Sequence, residues 1–172
     1  MPIANSNLPG LSRQAPIAYG AAMRIALFQP DIPGNVGAIL RLAVCFAVPV
    51  DIVDPCGFPF SDRRMKRSGM DYADHVSLTR HPDWESFLAA RAGQRIVLMS
   101  SHAESLLHDT AFRADDVLLF GSESAGVPDH VRDESALRVR IPMAAGLRSL
   151  NLAVSAGIAV SEALRQTKGF PA

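Results

Sequence analysis

Short apolar runs separated by turn residues alternate with longer, mostly apolar stretches along this chain of 172 residues. Apolar runs of about four to eight residues between turn residues are typical of buried strands. They predict strands at residues 23–28, 50–53, 95–99, 117–120 and 137–141. Strands that alternate with helices favour a parallel sheet covered on both faces, so the pattern predicts an α/β fold.

The stretches between these strands predict helices. Residues 35–48 and 151–166 are apolar on nearly every side, and residues 81–92 are amphipathic. Residues 128–133 predict a short helical turn. A helix that is apolar all round is buried on most of its faces, which we expect for residues 151–166. Asn151 is the predicted N-cap of that helix, because its side-chain oxygen can accept an unpaired backbone N–H.

Arg41 is the only charged residue of the stretch 35–48, and Asn35 is the predicted N-cap of its helix. Burying a charge without a partner is costly. Arg41 must therefore reach solvent, a carboxylate, a ligand or a subunit interface. An arginine that extends to solvent at the helix edge and a functional arginine are both compatible with the pattern.

Three loops follow predicted strands, at residues 99–102, 121–126 and 142–150. In parallel sheets, ligands bind beyond the carboxyl ends of the strands. We therefore expect these loops to converge on one ligand site.

The charges balance, with 17 basic and 17 acidic residues, so binding to nucleic acid would need a local basic patch. The candidate is the basic block at residues 63–67. A contact with phosphates and an ordinary solvated face both remain possible for it. The block contains Arg63, Arg64, Lys66 and Arg67.

Several classes of protein do not fit the sequence. Two cysteines and five scattered histidines support neither a disulfide framework nor a metal site. No apolar run approaches the ~20 residues of a membrane span, and G-x-G-x-x-G, P-loop and G-x-S-x-G motifs are absent. Residues 1–22 read as a disordered extension and residues 23–168 as a single domain.

Three motifs resemble those of the SPOUT superfamily of RNA ribose methyltransferases, in the order and spacing of its SpoU branch. They are N-V-G-A-I-L-R at residues 35–41, F-G-S-E-S-A-G-V-P at residues 120–128 and I-P-M-A-A-G-L-R-S-L-N-L-A-V-S at residues 141–155. The block D-P-C-G-F-P-F-S-D-R-R-M-K-R-S-G-M-D-Y at residues 54–72 resembles the TrmL-type enzymes, which methylate the ribose of the tRNA wobble nucleotide. The resemblance covers residues 23–166.

The resemblance implies an α/β knot, in which a parallel sheet carries a deep C-terminal trefoil knot, and it implies a homodimer. It also implies S-adenosylmethionine as the cofactor, which the reaction converts to S-adenosylhomocysteine. Carried over by motif position, the cofactor-binding residues are Met99, Gly121, Ile141, Met143, Ser149 and Leu150.

The implied reaction is cytoplasmic methyl transfer to the 2′-hydroxyl of nucleotide 34, a cytidine or modified uridine, in the tRNA anticodon stem-loop. The implied catalytic residues are Asn35, Arg41, Glu123, Ser149 and Asn151. Because a guanidinium stays protonated in proteins, we favour phosphate anchoring and charge stabilisation for Arg41 over proton acceptance. The implied RNA-binding residues are Arg63, Arg64, Lys66, Arg67 and Arg148.

Three positions depart from the pattern of the close relatives. Ser161 and Leu164 stand where those relatives usually carry tyrosine and tryptophan, and Leu147 replaces a small polar residue. These changes bear on the dimer contacts and on the choice of tRNA. Two alternatives stay open: the same reaction at another tRNA position or on ribosomal RNA, and a non-catalytic RNA- or nucleotide-binding module.

Overall fold

Seven strands form one sheet in the computed structural model, which describes residues 23–60 and 76–171. They are β1 (Arg24–Phe28), β2 (Val50–Val53), β3 (Leu78–His81), β4 (Ile96–Met99), β5 (Ser105–Leu106), β6 (Val117–Phe120) and β7 (Leu137–Arg140). Their order across the sheet is β3-β2-β1-β6-β4-β7-β5, and every neighbouring pair is parallel. The predicted parallel α/β fold is confirmed.

Helices cover both faces of the sheet. They are α1 (Pro33–Cys45), α2 (Trp84–Ala90), α3 (Asp129–Asp133) and α4 (Leu152–Thr167). Successive side chains of a strand point to opposite faces. Ile25 and Leu27 of β1 therefore join the core under α1 and α4, and Ala26 and Phe28 join the core under α2 and α3.

The five predicted strands are all present, and two further strands were not predicted. β3 has the sequence L-T-R-H and lies at an edge of the sheet, where no continuous apolar run is needed. β5 has only two residues. The helix predicted from residue 81 begins instead at Trp84, because Asp83 caps it by accepting a hydrogen bond from the backbone N of Ser86 at 2.7 Å.

The prediction that Asn35 caps α1 is wrong. The N-cap is Ile32, and Pro33 occupies the first helical position, where its missing N–H costs nothing. Asn35 lies within the first turn, and its side chain is buried. Its amide is consequently available for contacts with other segments.

The predicted N-cap of α4 is confirmed, because the Asn151 side chain accepts hydrogen bonds from the backbone N atoms of Ala153 and Val154 at 2.9 and 3.3 Å. We expected α4 to be buried on most of its faces, but only one side of the helix is buried. Five residues of that side enter the core: Ala156, Ala159, Val160, Ala163 and Leu164. On the other side, Val154 is 50% exposed and Ile158 38%.

A buried carboxylate on β2, Asp51, joins three cationic or polar partners. Arg24 donates to it at 2.7 Å and Arg91 at 2.7 Å, and His81 Nε2 lies 2.9 Å from its Oδ1. Burial raises the pKa of the Asp51 carboxyl, but the hydrogen bonds from its three partners outweigh burial, and the pKa lies below its ordinary value.

Several expectations remain predictions. The extension at residues 1–22 and the basic block at residues 63–67 lie outside the described residues. The trefoil knot and the domain limits also stay predictions. Within residues 23–60 and 76–171, no helix is long and apolar enough to cross a bilayer, and no group of three or more potential metal ligands occurs.

Candidate active site

The three loops that were expected to converge line one cavity of about 770 Å³. They follow β4, β6 and β7, which are neighbours in the sheet. The starts of α1 and α4 complete the wall. The expectation of one site at the carboxyl ends of the strands is therefore confirmed.

The loop after β6 is folded tightly upon itself. Ser122 and Gly126 exchange two backbone hydrogen bonds, at 3.0 and 2.9 Å. A Cβ atom on Gly121 would lie 2.4 Å from the carbonyl carbon of Gly126, and Gly126 has a φ of 69°. Both positions therefore require glycine. The turn places Glu123 beside the start of α1.

Glu123, Asn35 and Asn151 form a continuous line of hydrogen bonds at one side of the cavity. Asn35 Nδ2 donates to Glu123 Oε1 at 2.7 Å, and Asn151 Nδ2 donates to Asn35 Oδ1 at 2.9 Å. Because each amide group has one partner on nitrogen and another on oxygen, this network defines the orientation of both amides. We refer to these three residues as the amide–carboxylate line.

Asp31 extends this network beyond Glu123. Its backbone N donates to Glu123 Oε2 at 3.0 Å, and its carboxylate accepts from the backbone N of Ser124 at 3.2 Å and from the Ser124 hydroxyl. The pKa of Asp31 lies below its ordinary value, first because of its hydrogen-bonding contact with the Glu123 carboxyl group and then because of the Ser124 hydroxyl.

Most of the residues that the resemblance marked lie together. Four of the implied catalytic residues line the cavity: Asn35, Glu123, Ser149 and Asn151. All of the implied cofactor-binding residues do so as well: Met99, Gly121, Ile141, Met143, Ser149 and Leu150. Arg148 is also part of the lining. Their roles remain predictions, whereas their convergence is a property of the fold.

Arg41 does not line the cavity of its own chain. It lies six residues after Asn35 on α1 and is exposed. Six residues are about 1.7 turns of an α-helix, so the two side chains leave the helix in different directions.

Asp31 was not predicted as a site residue, although its position in the sequence indicates that it lies near Glu123. Asp31 follows β1, which pairs directly with β6. The loops after two adjacent parallel strands meet at the same edge of the sheet. A carboxylate in the turn Q-P-D-I-P-G was thus a candidate neighbour of Glu123.

The cavity suits a nucleoside-sized ligand with polar ends. Its volume falls within the ~300–1,000 Å³ of small-molecule sites. Apolar side chains from β4, β7 and the loop before α4 alternate with serine hydroxyls from the loops after β4 and β6. The amide–carboxylate line adds fixed donors and acceptors for a hydroxyl group beside that space.

Comparison with known proteins places this site in a family. Residues 22–161 match the model of the SpoU rRNA Methylase family. The chain is 49% identical to a tRNA (cytidine(34)-2′-O)-methyltransferase of Beijerinckia indica over 83% of its own length and 90% of that protein. It is 34% identical to the protein of that name from Escherichia coli K12, over 87% of its own length and 96% of that protein.

Solved structures agree with this assignment. A chain solved in a study of 2-OH methylation of C/U34 on tRNA superposes with a TM-score of 0.81 at 41% identity, covering 87% of this chain and 99% of that one. The AdoMet-bound rRNA methyltransferase of Sinorhizobium meliloti gives a TM-score of 0.72 at 31% identity, covering 84% of this chain and 56% of that one. The predicted resemblance is confirmed, and the chain belongs to the SpoU methylase family.

Proposed function

We propose that this protein transfers a methyl group from S-adenosylmethionine to the ribose 2′-hydroxyl of nucleotide 34 of tRNA. The observation that carries the proposal is the amide–carboxylate line beside a nucleoside-sized cavity. Its support is the name of the relatives, tRNA (cytidine(34)-2′-O)-methyltransferase, at 34% to 49% identity.

The residues of the cavity fit the cofactor. Met99, Ile141 and Leu150 offer apolar surface to an adenine ring, and Gly121, which has no side chain, also lines the cavity. Ser149 and Met143 complete the proposed set. When bound, S-adenosylmethionine supplies a methyl group that its sulfonium has already activated.

The protein's own task is then to orient the ribose hydroxyl and to assist the loss of its proton. Each oxygen of a carboxyl group can accept more than one hydrogen bond. One Glu123 oxygen accepts from Asn35 and the other from the Asp31 backbone N, so Glu123 can also accept a hydrogen bond from the ribose hydroxyl. Asn35 holds that carboxylate, Asn151 orients Asn35, and Ser149 lines the cavity two residues before Asn151. The released proton passes to the RNA or to water.

Arg41 serves the cavity of a second copy in this proposal. Its position outside the cavity of its own chain supports a homodimer in which each Arg41 anchors a phosphate beside the partner's ribose. The exposed apolar side chains Leu147, Val154 and Ile158 lie in the segment around the start of α4 and favour self-association. Leu164 is only 4% exposed, so its departure from the family pattern concerns the core and not this surface.

The basic block and Arg148 bind tRNA phosphates in this proposal. The protein acts in the cytoplasm, where tRNA is found.

We expect that neutralising Arg63, Arg64, Lys66 and Arg67 lowers tRNA affinity and reduces the slope of log Kd against log salt by about 3 to 4. Filter binding of tRNA between about 50 and 200 mM salt measures this slope. Neutralising Arg132 and Arg138, on the α3 side of the sheet, is the control. An unchanged slope would mean that the basic block is a solvated face.

Methyl transfer from labelled S-adenosylmethionine tests the function directly. Unmodified total tRNA and ribosomal RNA are offered separately, and the modified nucleotide is mapped by mass spectrometry. We expect label on the 2′-oxygen of nucleotide 34. Label on ribosomal RNA alone would favour methylation of ribosomal RNA, after which the family is named. Binding of S-adenosylmethionine without methyl transfer would favour a non-catalytic RNA- or nucleotide-binding module.

A further inference from the structure

Asp31 occupies a position between two parts of the proposed enzyme. On one side its carboxylate receives both hydrogen bonds of Ser124, and its backbone N holds Glu123. On the other side lies Gly57, where a Cβ atom would stand 2.7 Å from the Asp31 Cβ and 3.0 Å from its Cα. The backbone N of Gly57 also donates to the carbonyl of Pro30 at 3.0 Å.

These contacts restrict the Asp31 side chain from both directions. The backbone at residue 57 packs closely against the Asp31 Cα and Cβ, and Ser124 holds its carboxylate. Ser124 follows Glu123 directly, so fixing Ser124 fixes the last carboxylate of the amide–carboxylate line. Asp31 is 92 positions from Glu123 and 93 positions from Ser124 in the sequence, so these hydrogen bonds join two distant segments of the chain.

The geometry points to Asp31 as a positioning residue for methyl transfer. By accepting the Ser124 hydrogen bonds it keeps Glu123 against Asn35, and through Asn35 it keeps the Asn151 amide in a single orientation. Asp31 does not line the cavity, and it acts through Glu123. The expected loss of kcat rests on the proposed function. The orientation of the Asn35 and Asn151 amides does not.

We expect Asp31→Ala to lower kcat by about 10- to 100-fold, as a displacement of reacting groups by about 1 Å does. The Kd for S-adenosylmethionine and the Kd for tRNA should change less than about twofold, because Asp31 lies outside the cavity lining. Asp31→Asn should recover most of the kcat, since its amide oxygen still accepts from Ser124. A wild-type kcat in Asp31→Ala, or a loss confined to either Kd, would overturn the inference.

The matched control is Asp83→Ala. Asp83 is exposed whereas Asp31 is half-buried, but both carboxylates accept a hydrogen bond from a serine backbone N. It caps α2 and does not line the cavity. We expect its kcat to equal that of the wild type. A similar loss of kcat in Asp83→Ala would show a general effect of destabilisation and would count against the inference.

A double-mutant cycle and a substrate-free measurement complete the test. Asp31→Ala combined with Ser124→Ala should lose no more kcat than Asp31→Ala alone, because the Ser124 hydroxyl acts through Asp31. Additive losses contradict that route. The side-chain amide resonances of Asn35 and Asn151 in the free protein should shift in Asp31→Ala and not in Asp83→Ala. Unmoved resonances overturn the inference even if no RNA is methylated, so its failure is separable from that of the proposed function.

Discussion

Arg41→Ala is expected to lower kcat by about 10²- to 10³-fold, the usual cost of removing one group that stabilises developing charge. The fold should survive, because Arg41 is exposed on α1 and the buried residues of that helix lie on its other side. Arg41→Lys should keep part of the kcat and the same pH profile, since it preserves the charge but not the planar fork. Labelled methyl transfer under saturating cofactor and tRNA measures kcat, and Arg113→Ala, another exposed arginine, is the control.

A mixing experiment determines whether Arg41 acts across a dimer. Arg41→Ala and Glu123→Ala chains are each expected to have about 1% or less of the wild-type activity. If Arg41 serves the partner's cavity, a mixed dimer contains one intact site, because one chain supplies Glu123 and the other supplies Arg41. Random mixing then restores about one quarter of the wild-type activity, since half of the dimers are mixed and each has one of two sites. No recovery after confirmed exchange of subunits would place Arg41 at its own cavity and contradict the shared site.

Asp51→Ala is expected to lower the free energy of unfolding by about 3–5 kcal/mol, the range for removing one partner from a buried ion pair. Asp51 is fully buried, and its removal leaves Arg24 and Arg91, whose side chains are only 13% and 17% exposed, without their carboxylate. Urea unfolding at a fixed protein concentration measures the loss. Asp109→Ala is the control. Asp109 pairs with His108 at 3.7 Å on the surface, so its removal should cost no more than about 1 kcal/mol.

The pH dependence of the same variants follows from the lowered pKa of Asp51. An unfolded aspartate has a pKa of about 3.9. Because the folded-state pKa is lower, the stabilisation by this carboxylate is complete above that pH and is lost as the pH falls through the folded-state value. The difference in unfolding free energy between wild type and Asp51→Ala should therefore narrow below about pH 4. A constant difference down to pH 2 would contradict the assignment.

The sheet was predictable where its strands form short, mostly apolar runs between turn residues. β4 and β6 are continuous apolar runs, and β1, β2 and β7 are short runs whose only charged residues are Arg24, Asp51, and Arg138 with Arg140. Each of the five strands was found within about two residues of its predicted limits. β3 could not be found in this way. It pairs with a neighbour on one side only, and its residues Leu78, Thr79 and Arg80 are half-buried or exposed.

The site shows the same division between local and distant information. The cap at Asn151 is a local interaction with the two N–H groups that follow it, so the sequence predicted it correctly. Asn35 carries the same side chain at a helix start, but its amide bonds to Glu123 and Asn151. Pro33 already begins α1, so the amide was free for those distant partners. Pro33 is the local signal that distinguishes the two asparagines, because proline favours the first position of a helix, but no local pattern identifies the distant partners of Asn35.

The separation of these hydrogen-bonded residues along the chain has a consequence for folding. Asn35 pairs with a residue 88 positions away and with another 116 positions away. Contacts between residues far apart in sequence carry the entropy cost of closing a long loop, so they form after the local structure that brings their partners together. We therefore expect the amide–carboxylate line to form only when α4 packs against α1. A folding intermediate that has the sheet but not this helix contact would lack one wall of the cavity.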